Sequence, residues 1–445
     1  MKLFMVSLGC DKNLVDSEKM LGVLTRAGFE ITDDENEAEA AVVNTCCFID
    51  EAKKESIDQI FSLARLKETA KLKVLIVSGC MAQRYKDEIL DEIPEIDGIV
   101  GTTGIDGIAQ AITDALGGTR DAVMDDISTD PELDPDERVI TTGGHFAYLK
   151  IAEGCDKHCT YCAIPSFRGR YRSYPMEKLT AEAFGLAGQG VKELILVAEE
   201  TTLYGVDIYG KPMLHALLQR LCDIPGIEWI RILYCYPEDI YPELIDVMAA
   251  EPKICHYLDM PVQHASDAVL KRMNRRTTEA ELMEKIRLLR KRIPDIALRT
   301  TLISGFPGET DEDHQVLMNF VRRMKFDRLG VFTYSREEGT PAASMEPQVP
   351  KEVMEKRRDE IMSLQQEISA ARGQSLIGRK MRVFTEGSIP EDGVYVGRTY
   401  ADAPSVDGLV FFQSERSLMS GDFTDVRITG ASEYDLEGTE EYQDA

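Results

Sequence analysis

Three cysteines near the middle of the chain constrain its fold and chemistry more than any other feature. Cys155, Cys159 and Cys162 lie in the string EGCDKHCTYC, separated by three and then two residues. This spacing allows three thiolates to cover one face of a cuboidal iron–sulfur cluster. A 4Fe–4S cluster has four irons, so the motif predicts such a cluster with one iron left without a protein ligand.

The open iron predicts how the cluster is used. It can chelate the amino and carboxylate groups of S-adenosylmethionine (SAM), and an electron from the cluster can then cleave the sulfonium to release a 5′-deoxyadenosyl radical. The alternative is a structural zinc site. Zinc usually takes a fourth protein ligand, and His158, between two of the cysteines, is expected to be exposed, so the sequence favours the cluster. Tyr161 is expected to pack over it.

The motif lies near the start of a region in which strand and helix patterns alternate. Six βα repeats over this length predict an incomplete (β/α)6 barrel of the TIM type. The predicted strands are residues 146–151, 193–197, 229–233, 257–260, 297–303 and 328–332.

The N-terminal part of the chain alternates in the same way. Apolar runs at 3–8, 40–43 and 73–77, with helical patterns between them, predict a doubly wound parallel sheet. The following residues, 119–140, are rich in Asp, Pro and Gly, a composition typical of an exposed linker.

Three more cysteines each follow one of the N-terminal strands. Cys10, Cys46 and Cys80 end the strings VSLGC, VVNTC and IVSGC. Ligands gather at the carboxyl ends of parallel strands, and Gly9 and Gly79 permit tight turns before two of the cysteines. The pattern predicts a second three-cysteine site with an open iron; the alternative is three buried core cysteines.

The remaining cysteines carry less information. Cys47 is an alternative to its neighbour Cys46 as the predicted cluster ligand, and the spacing does not decide between them. Cys222, Cys235 and Cys255 show no ligand pattern and are predicted to be core or cleft residues.

The C-terminal part changes pattern. A helix is predicted over residues 351–373, ended by Gly373. Short strand patterns follow at 380–386, 394–400, 409–412 and 423–429, which predict a small antiparallel β-barrel.

Charge narrows the range of partners. The net charge is −27, with −16 on residues 1–140 and −8 on residues 375–445. Phosphate backbones are bound through a surplus of Lys and Arg, so nucleic acid is disfavoured and a basic protein partner is favoured. The sequence has no apolar run of transmembrane length and no signal-peptide pattern, so we expect a cytoplasmic protein without a membrane partner. In that compartment its ten cysteines are expected to bind metal, to be catalytic or to be buried, and not to form a disulfide framework.

Over nearly its whole length the chain resembles the methylthiotransferases of the radical-SAM superfamily, most closely the branch that modifies a ribosomal protein. The resemblance implies a methylthiotransferase domain over 1–118, a linker over 119–140, a radical-SAM barrel over 141–372 and a TRAM domain over 373–440. The strings that carry it are GCDKNLVDSE, NTCCFIDEAK, YLKIAEGCDKHCTYCAIP, YLDMPVQHASDAVLKRMNRRTT, GFPGET, VFTYSREEGTPAA and YVGRTYADAPSVDGLVFF.

The resemblance also implies a reaction. One SAM methylates sulfur associated with the N-terminal cluster, and a second SAM is cleaved at the barrel cluster. The radical removes hydrogen from an unactivated C–H bond, where a methylthio group is then installed. In the branch that this chain resembles, the target is the β-carbon of an aspartate in a small-subunit ribosomal protein.

Site residues follow by the same resemblance, which assigns no catalytic residue beyond the cluster ligands. Glu199, Glu200 and Thr201, after the second barrel strand, are expected to face SAM, although similar sequences usually have Gln-Asp at the first two positions. Gln263 and His264 follow the fourth strand, where barrel active sites gather; the alternative for His264 is a structural role. The implied ligands are Cys155, Cys159 and Cys162 for the SAM-cleaving 4Fe–4S cluster, and Cys10, Cys46 and Cys80 for the auxiliary one, with Cys47 a bystander.

Two other functions compete with this one. A tRNA adenosine methylthiotransferase would share both clusters, but the acidic C-terminal domain favours docking of a basic ribosomal protein. The acidity of the C-terminal domain is also compatible with an exposed surface that binds no partner. A third interpretation of the chain is an RNA- or ribosome-binding module with a structural metal. The radical reaction also requires an electron donor, which the sequence does not identify.

Overall fold

The computed structural model describes residues 1–129, 138–390 and 393–441. Its N-terminal unit is a parallel sheet of six strands between two layers of helices, as predicted. The strands are β1 Lys2–Ser7, β2 Glu30–Ile31, β3 Ala40–Thr45, β4 Val74–Gly79, β5 Gly98–Val100 and β6 Asp121–Val123. They lie side by side in the order β2-β1-β3-β4-β5-β6. The helices are α1 Asp11–Arg26, α2 Asp50–Thr69, α3 Cys80–Arg84, α4 Lys86–Glu92 and α5 Ile108–Leu116.

Alternation along the strands explains the two helix layers. Val43 of β3 packs into the core that α2 covers, whereas its neighbour Val42 packs into the core formed with α1 and α5. Successive side chains of a strand point to opposite faces, so a strand buried on both faces is apolar throughout.

The central unit confirms the incomplete barrel. Its six main strands are all parallel and lie side by side in chain order, and in the described residues the sheet does not close. They are β7 Phe146–Lys150, β10 Glu193–Val197, β11 Trp229–Ile232, β12 Ile254–Asp259, β13 Ala297–Ser304 and β14 Arg328–Thr333, with a short ribbon of β8 Ala152–Glu153 and β9 Arg172–Ser173. The helices are α6 Ile164–Arg168, α7 Met176–Gly188, α8 Val206–Tyr209, α9 Leu214–Cys222, α10 Pro242–Ala250, α11 Asp267–Arg272, α12 Glu279–Arg292, α13 Asp311–Met324 and α14 Lys351–Gln374.

Helix α14 connects the central unit to the last one. The prediction that Gly373 ends this helix is wrong, because the helix continues to Gln374. A Cβ at Gly373 would lie 3.0 Å from the Cβ of Ala431, so the glycine serves close packing against the C-terminal unit.

The C-terminal unit is a closed five-stranded barrel. Its strands are β15 Lys380–Ile389, β16 Val394–Thr399, β17 Val410–Gln413, β18 Phe423–Ala431 and β19 Leu436–Glu440. The sequence indicated four of them and an antiparallel arrangement. The fifth makes the number odd, and directions cannot alternate around a closed ring of five, so β17 and β19 pair in parallel.

The two outer units cover the two ends of the central barrel. Val15 of α1, Tyr148 of β7 and Phe384 of β15 belong to one buried cluster that fills the barrel interior. Within the predicted linker, residues 121–123 form β6, and residues 130–137 lie outside the described residues. Among the residues that are described, no helix is both long and apolar enough to span a membrane.

Candidate iron–sulfur and SAM site

The barrel cysteines lie together in the loop between β8 and α6. Cys155 and Cys159 are buried and Cys162 is partly exposed. Burial raises the pKa of Cys155 to about 12 and the pKa of Cys162 well above its usual range, and the neighbouring Cys159 raises both further. Gly154 has φ +70°, and a Cβ there would lie 2.1 Å from the Arg170 carbonyl oxygen, so the turn before the first cysteine requires glycine.

Residues that follow α11 hold this loop in place through hydrogen bonds. The Thr160 backbone N–H donates to the Met273 carbonyl at 3.1 Å, and the Asn274 amide donates to the His158 carbonyl at 3.0 Å. His158 is exposed. Tyr161 packs edge-to-face against Phe306, with ring centroids 6.5 Å apart. Backbone and ring contacts therefore hold the loop, and the Cys159 sulfur adds a hydrogen bond with the Tyr236 hydroxyl at 3.5 Å.

The N-terminal cysteines also come together, although they are far apart in sequence. Cys10 directly precedes α1, Cys46 follows β3, and Cys80 begins α3. The Asn13 amide nitrogen donates to the carbonyls of Leu8 and Thr45 at 3.0 and 2.9 Å, and its oxygen lies 3.5 Å from the Cys80 sulfur. One amide side chain thus links all three loops that carry the cysteines.

The N-terminal cysteines affect one another through close packing at Gly9 and through the charge of Cys10. A Cβ at Gly9, which has φ +89°, would lie 2.7 Å from the Cys46 Cβ and 2.9 Å from its sulfur. Burial raises the pKa of Cys46 and of Cys80, and a charge on Cys10 raises both further. Cys10, Cys46 and Cys80 are therefore neighbours, as a cluster with three cysteine ligands requires.

Cys47 has different surroundings. It is fully buried in the apolar core under α2, and burial raises its pKa to about 12. Its backbone carbonyl accepts a hydrogen bond from Arg84 at 3.3 Å.

Helix α6 connects the two cysteine groups. It starts two residues after Cys162 and ends at Arg168, which is fully buried. The Arg168 Nε and Nη2 lie 3.4 and 3.3 Å from the sulfur of Cys80. Sequence analysis did not single out Arg168, since no local spacing relates it to a partner 88 positions away.

Helix α1 docks the N-terminal unit on the barrel through charged side chains. The Lys12 ammonium lies 3.7 Å from a carboxylate oxygen of Glu199 and 3.5 Å from the centre of the Tyr234 ring. Tyr234 in turn donates a hydrogen bond to Asp11 at 3.2 Å. Lys12 is a further site residue that sequence analysis missed, and it brings α1 onto the predicted SAM loop.

The predicted SAM loop is buried after β10. Glu200 is fully buried. One of its oxygens accepts from the Thr202 backbone N–H at 2.8 Å, and the other has no hydrogen-bond partner among the residues that the structure describes. Burial raises the pKa of Glu200 to about 8. The Thr201 hydroxyl donates to the Leu233 carbonyl at 2.8 Å, which ties the loop to the next strand. A buried carboxyl oxygen without a donor fits a ligand that carries an ammonium group, as SAM does.

Gln263 and His264 follow β12 but differ in exposure. Gln263 is partly exposed, has φ +67°, and bonds through its backbone to Thr301 and Ile303 of β13. His264 is fully buried, and burial lowers its pKa to about 3, so its ring is neutral. Its Nδ1 accepts from the Ser266 backbone N–H at 2.9 Å.

The glycine turn after β13 is shaped by one buried carboxylate. Glu309 accepts from the backbone N–H groups of Gly305 and Phe306 at 2.6 and 3.1 Å, and Arg357 donates to it at 3.0 Å. The His264 Nε2 lies 3.8 Å from the same carboxylate, so His264 lies behind the Gly305–Gly308 turn.

An open cavity of about 460 Å³ lies beside the barrel cysteines. It is lined by Cys159 and Cys162, by Arg84 and Tyr85 of the N-terminal unit, and by residues near Gly339. In the described ranges, no set of three His, Cys, Asp or Glu side chains is arranged to hold a single metal ion.

Three family models match the chain. Residues 2–101 match the uncharacterized protein family UPF0004, residues 149–321 match the radical SAM superfamily, and residues 377–440 match the TRAM domain.

Curated relatives match the chain from end to end. A ribosomal protein uS12 methylthiotransferase RimO from Lachnoclostridium phytofermentans is 59% identical over 99% of this chain and 100% of its own length. The RimO protein of Clostridioides difficile is 48% identical over 100% of this chain and 99% of its own.

Solved structures share the fold at low identity. The radical SAM methyltransferase TsrM from Kitasatospora setae, solved with cobalamin and a [4Fe-4S] cluster, has a TM-score of 0.56 at 16% identity, covering 77% of this chain and 76% of its own. The cobalamin-dependent SAM radical enzyme OxsB has a TM-score of 0.52 at 13% identity, covering 82% of this chain and 56% of its own.

Proposed function

This chain belongs to the RimO family of ribosomal protein uS12 methylthiotransferases, and from that premise we propose that it adds a methylthio group to the β-carbon of an aspartate in uS12. The observation that carries the proposal is the link between the two cysteine groups: α6 starts just after Cys162, and its last residue, Arg168, contacts the Cys80 sulfur. Radical formation and sulfur transfer must reach the same substrate carbon, and this link between the barrel loop and Cys80 fits that requirement.

We assign the cluster ligands on the surroundings of each thiol. Cys46 rather than Cys47 is the third N-terminal ligand, because Cys46 packs against the Gly9 turn while Cys47 lies in the core under α2. When bound, the barrel cluster supplies the electron that cleaves SAM to a 5′-deoxyadenosyl radical. The ligands are Cys155, Cys159 and Cys162 for the barrel cluster and Cys10, Cys46 and Cys80 for the auxiliary cluster.

The SAM pocket is proposed to lie between the loops after β10 and β12. The unpartnered oxygen of Glu200 accepts from the SAM ammonium, and Thr201 and Glu199 hold the loop through Leu233 and Lys12. Gln263, which is partly exposed, is proposed to contact SAM from the loop after β12. His264, being buried and neutral, supports the pocket from behind through the Glu309 turn. These residues bind and orient SAM and exclude water; none of them transfers a proton in this proposal.

The acidic C-terminal unit is proposed to dock the basic substrate protein. Residues 375–445 carry a net charge of −8, and Glu433 and Glu437 are exposed. Opposite charge steers association and fixes orientation more than it adds affinity. Since the substrate is a ribosomal protein, we place the enzyme in the cytoplasm, where it meets a separate electron donor.

The test is the product. The anaerobically reconstituted and reduced protein is given SAM with either uS12 or an anticodon-stem RNA, and each substrate is analysed by mass spectrometry. We expect a methylthio adduct on an aspartate of uS12, absent when Cys155, Cys159 and Cys162 are replaced by Ala.

Two other outcomes would contradict the proposal in different ways. An adduct on the RNA alone would replace the protein substrate by tRNA and leave the two-cluster chemistry intact. Uptake of about one zinc ion per chain with no SAM cleavage would indicate a structural metal site and refute the enzyme function.

A further inference from the structure

The guanidinium group of Arg168 has all five of its N–H donors engaged. Nη1 donates to Asp16 and Glu153 at 2.8 and 3.1 Å, and one N–H of Nη2 donates to the Asn13 amide oxygen. The two that remain, on Nε and Nη2, both point to the sulfur of Cys80, at 3.4 and 3.3 Å. The planar fork of arginine thus grips one sulfur atom with two hydrogen bonds.

The two sides of the Arg168 guanidinium face different groups. Asp16 and Glu153 also bind the Lys150 ammonium, at 2.6 Å for Glu153, so two buried carboxylates face two buried cations. The carboxylates lie on the Nη1 side of the guanidinium, and the thiol lies on the opposite side. The side that faces Cys80 therefore presents the positive end of a neutral, fully buried group of charges.

We propose that Arg168 raises the reduction potential of the auxiliary cluster by donating two charge-assisted hydrogen bonds to the Cys80 ligand sulfur. The inference rests on the proposed function, because it requires Cys10, Cys46 and Cys80 to hold that cluster. Reduction adds negative charge to a cluster, and hydrogen bonds and nearby positive charge stabilise the more negative state. Arg168 acts through the ligand and is a positioning residue.

Substitutions separate charge from hydrogen-bond geometry. Arg168→Lys keeps a positive charge but presents a single ammonium instead of the fork, and Arg168→Met removes both. We expect the midpoint potential to fall in the order Arg, Lys, Met. Arg168→Lys also keeps the test usable if Arg168→Met fails to fold, since it keeps a cation for the two carboxylates.

The experiment uses the full chain with Cys155, Cys159 and Cys162 replaced by Ala, so that only the auxiliary cluster remains. Its potential is measured by redox titration under EPR. Arg138→Lys is the matched control, because Arg138 is a buried partner of Glu18 and Glu182 in the same interface and makes no hydrogen bond to a thiol among the described residues. We expect a more negative midpoint for both Arg168 variants and an unchanged midpoint for the control.

The outcomes keep the two proposals apart. If the background protein binds iron and the Arg168 variants have its midpoint potential, the inference is overturned while the proposed ligands stand. The same holds if Arg138→Lys shifts the potential as much. If the background protein binds no iron–sulfur cluster, the ligand assignment fails and the inference fails with it.

Discussion

Gly9 shows how a single residue controls the N-terminal cysteine group. Its φ of +89° lies in the left-handed region, and the space a Cβ would take is filled by Cys46, 2.7 Å away at its Cβ. The glycine therefore serves both the turn before Cys10 and the approach of Cys46. The glycine is therefore needed for the close approach of the Cys10 and Cys46 loops as well as for its backbone conformation.

Replacing Gly9 by Ala should displace Cys46 and prevent the auxiliary cluster from assembling. We expect iron bound by the N-terminal cysteines to be lost while SAM cleavage at the barrel is retained. Gly28→Ala is the control, because Gly28 has the same φ of +89° but no atom of the described residues lies within 4 Å of the added Cβ. Both substitutions carry a left-handed penalty of about 1–2 kcal/mol. Full iron content in Gly9→Ala would contradict this account of the turn.

At the scale of elements, α1 is the helix that joins the N-terminal sheet to the barrel. Its buried face is charged as well as apolar: Asp16 contacts Lys150, and Glu18 contacts Arg138 and accepts from the Thr141 backbone N–H at 2.7 Å. Buried ion pairs are costly to desolvate, and removing one partner destabilises the fold because the other charge stays buried without compensation. The pairs therefore favour a single docking orientation of α1, which holds Cys10 at the barrel mouth.

Removing one carboxylate from α1 tests this interface. Glu18→Ala leaves the Arg138 guanidinium buried without its main partner, so we expect the free energy of unfolding to fall by about 3–5 kcal/mol in urea denaturation. Glu37→Ala breaks only exposed ion pairs, with Lys71 and Lys2, and should change stability little. Equal effects of the two substitutions would mean that the buried pair does not hold the interface.

Elements with clear periodicity were predictable from the sequence, and those defined by long-range contacts were not. The six barrel strands follow the apolar runs closely, but β5 and β6 have three residues each, too short to show a period. The parallel pairing of β17 and β19 depends on barrel closure, which no local pattern contains.

For the whole molecule, the cysteine positions relative to strands indicated where ligands would gather, because parallel strands end at a common edge. The sequence could not show that the two cysteine groups are linked across the interface between the N-terminal and central units. That depends on Arg168 and Lys12, whose partners Cys80 and Glu199 lie in other units. The ligand roles themselves stay a prediction.

The central claim is that the molecule holds two separate clusters, each on its own three cysteines. The most direct test counts iron and 5′-deoxyadenosine in three anaerobically reconstituted proteins: the unaltered chain, the Cys10, Cys46, Cys80→Ala variant and the Cys155, Cys159, Cys162→Ala variant. We predict about eight, four and four irons per chain, with SAM cleavage lost only in the last. About four irons in the unaltered chain, or loss of all iron in either variant, would contradict the claim.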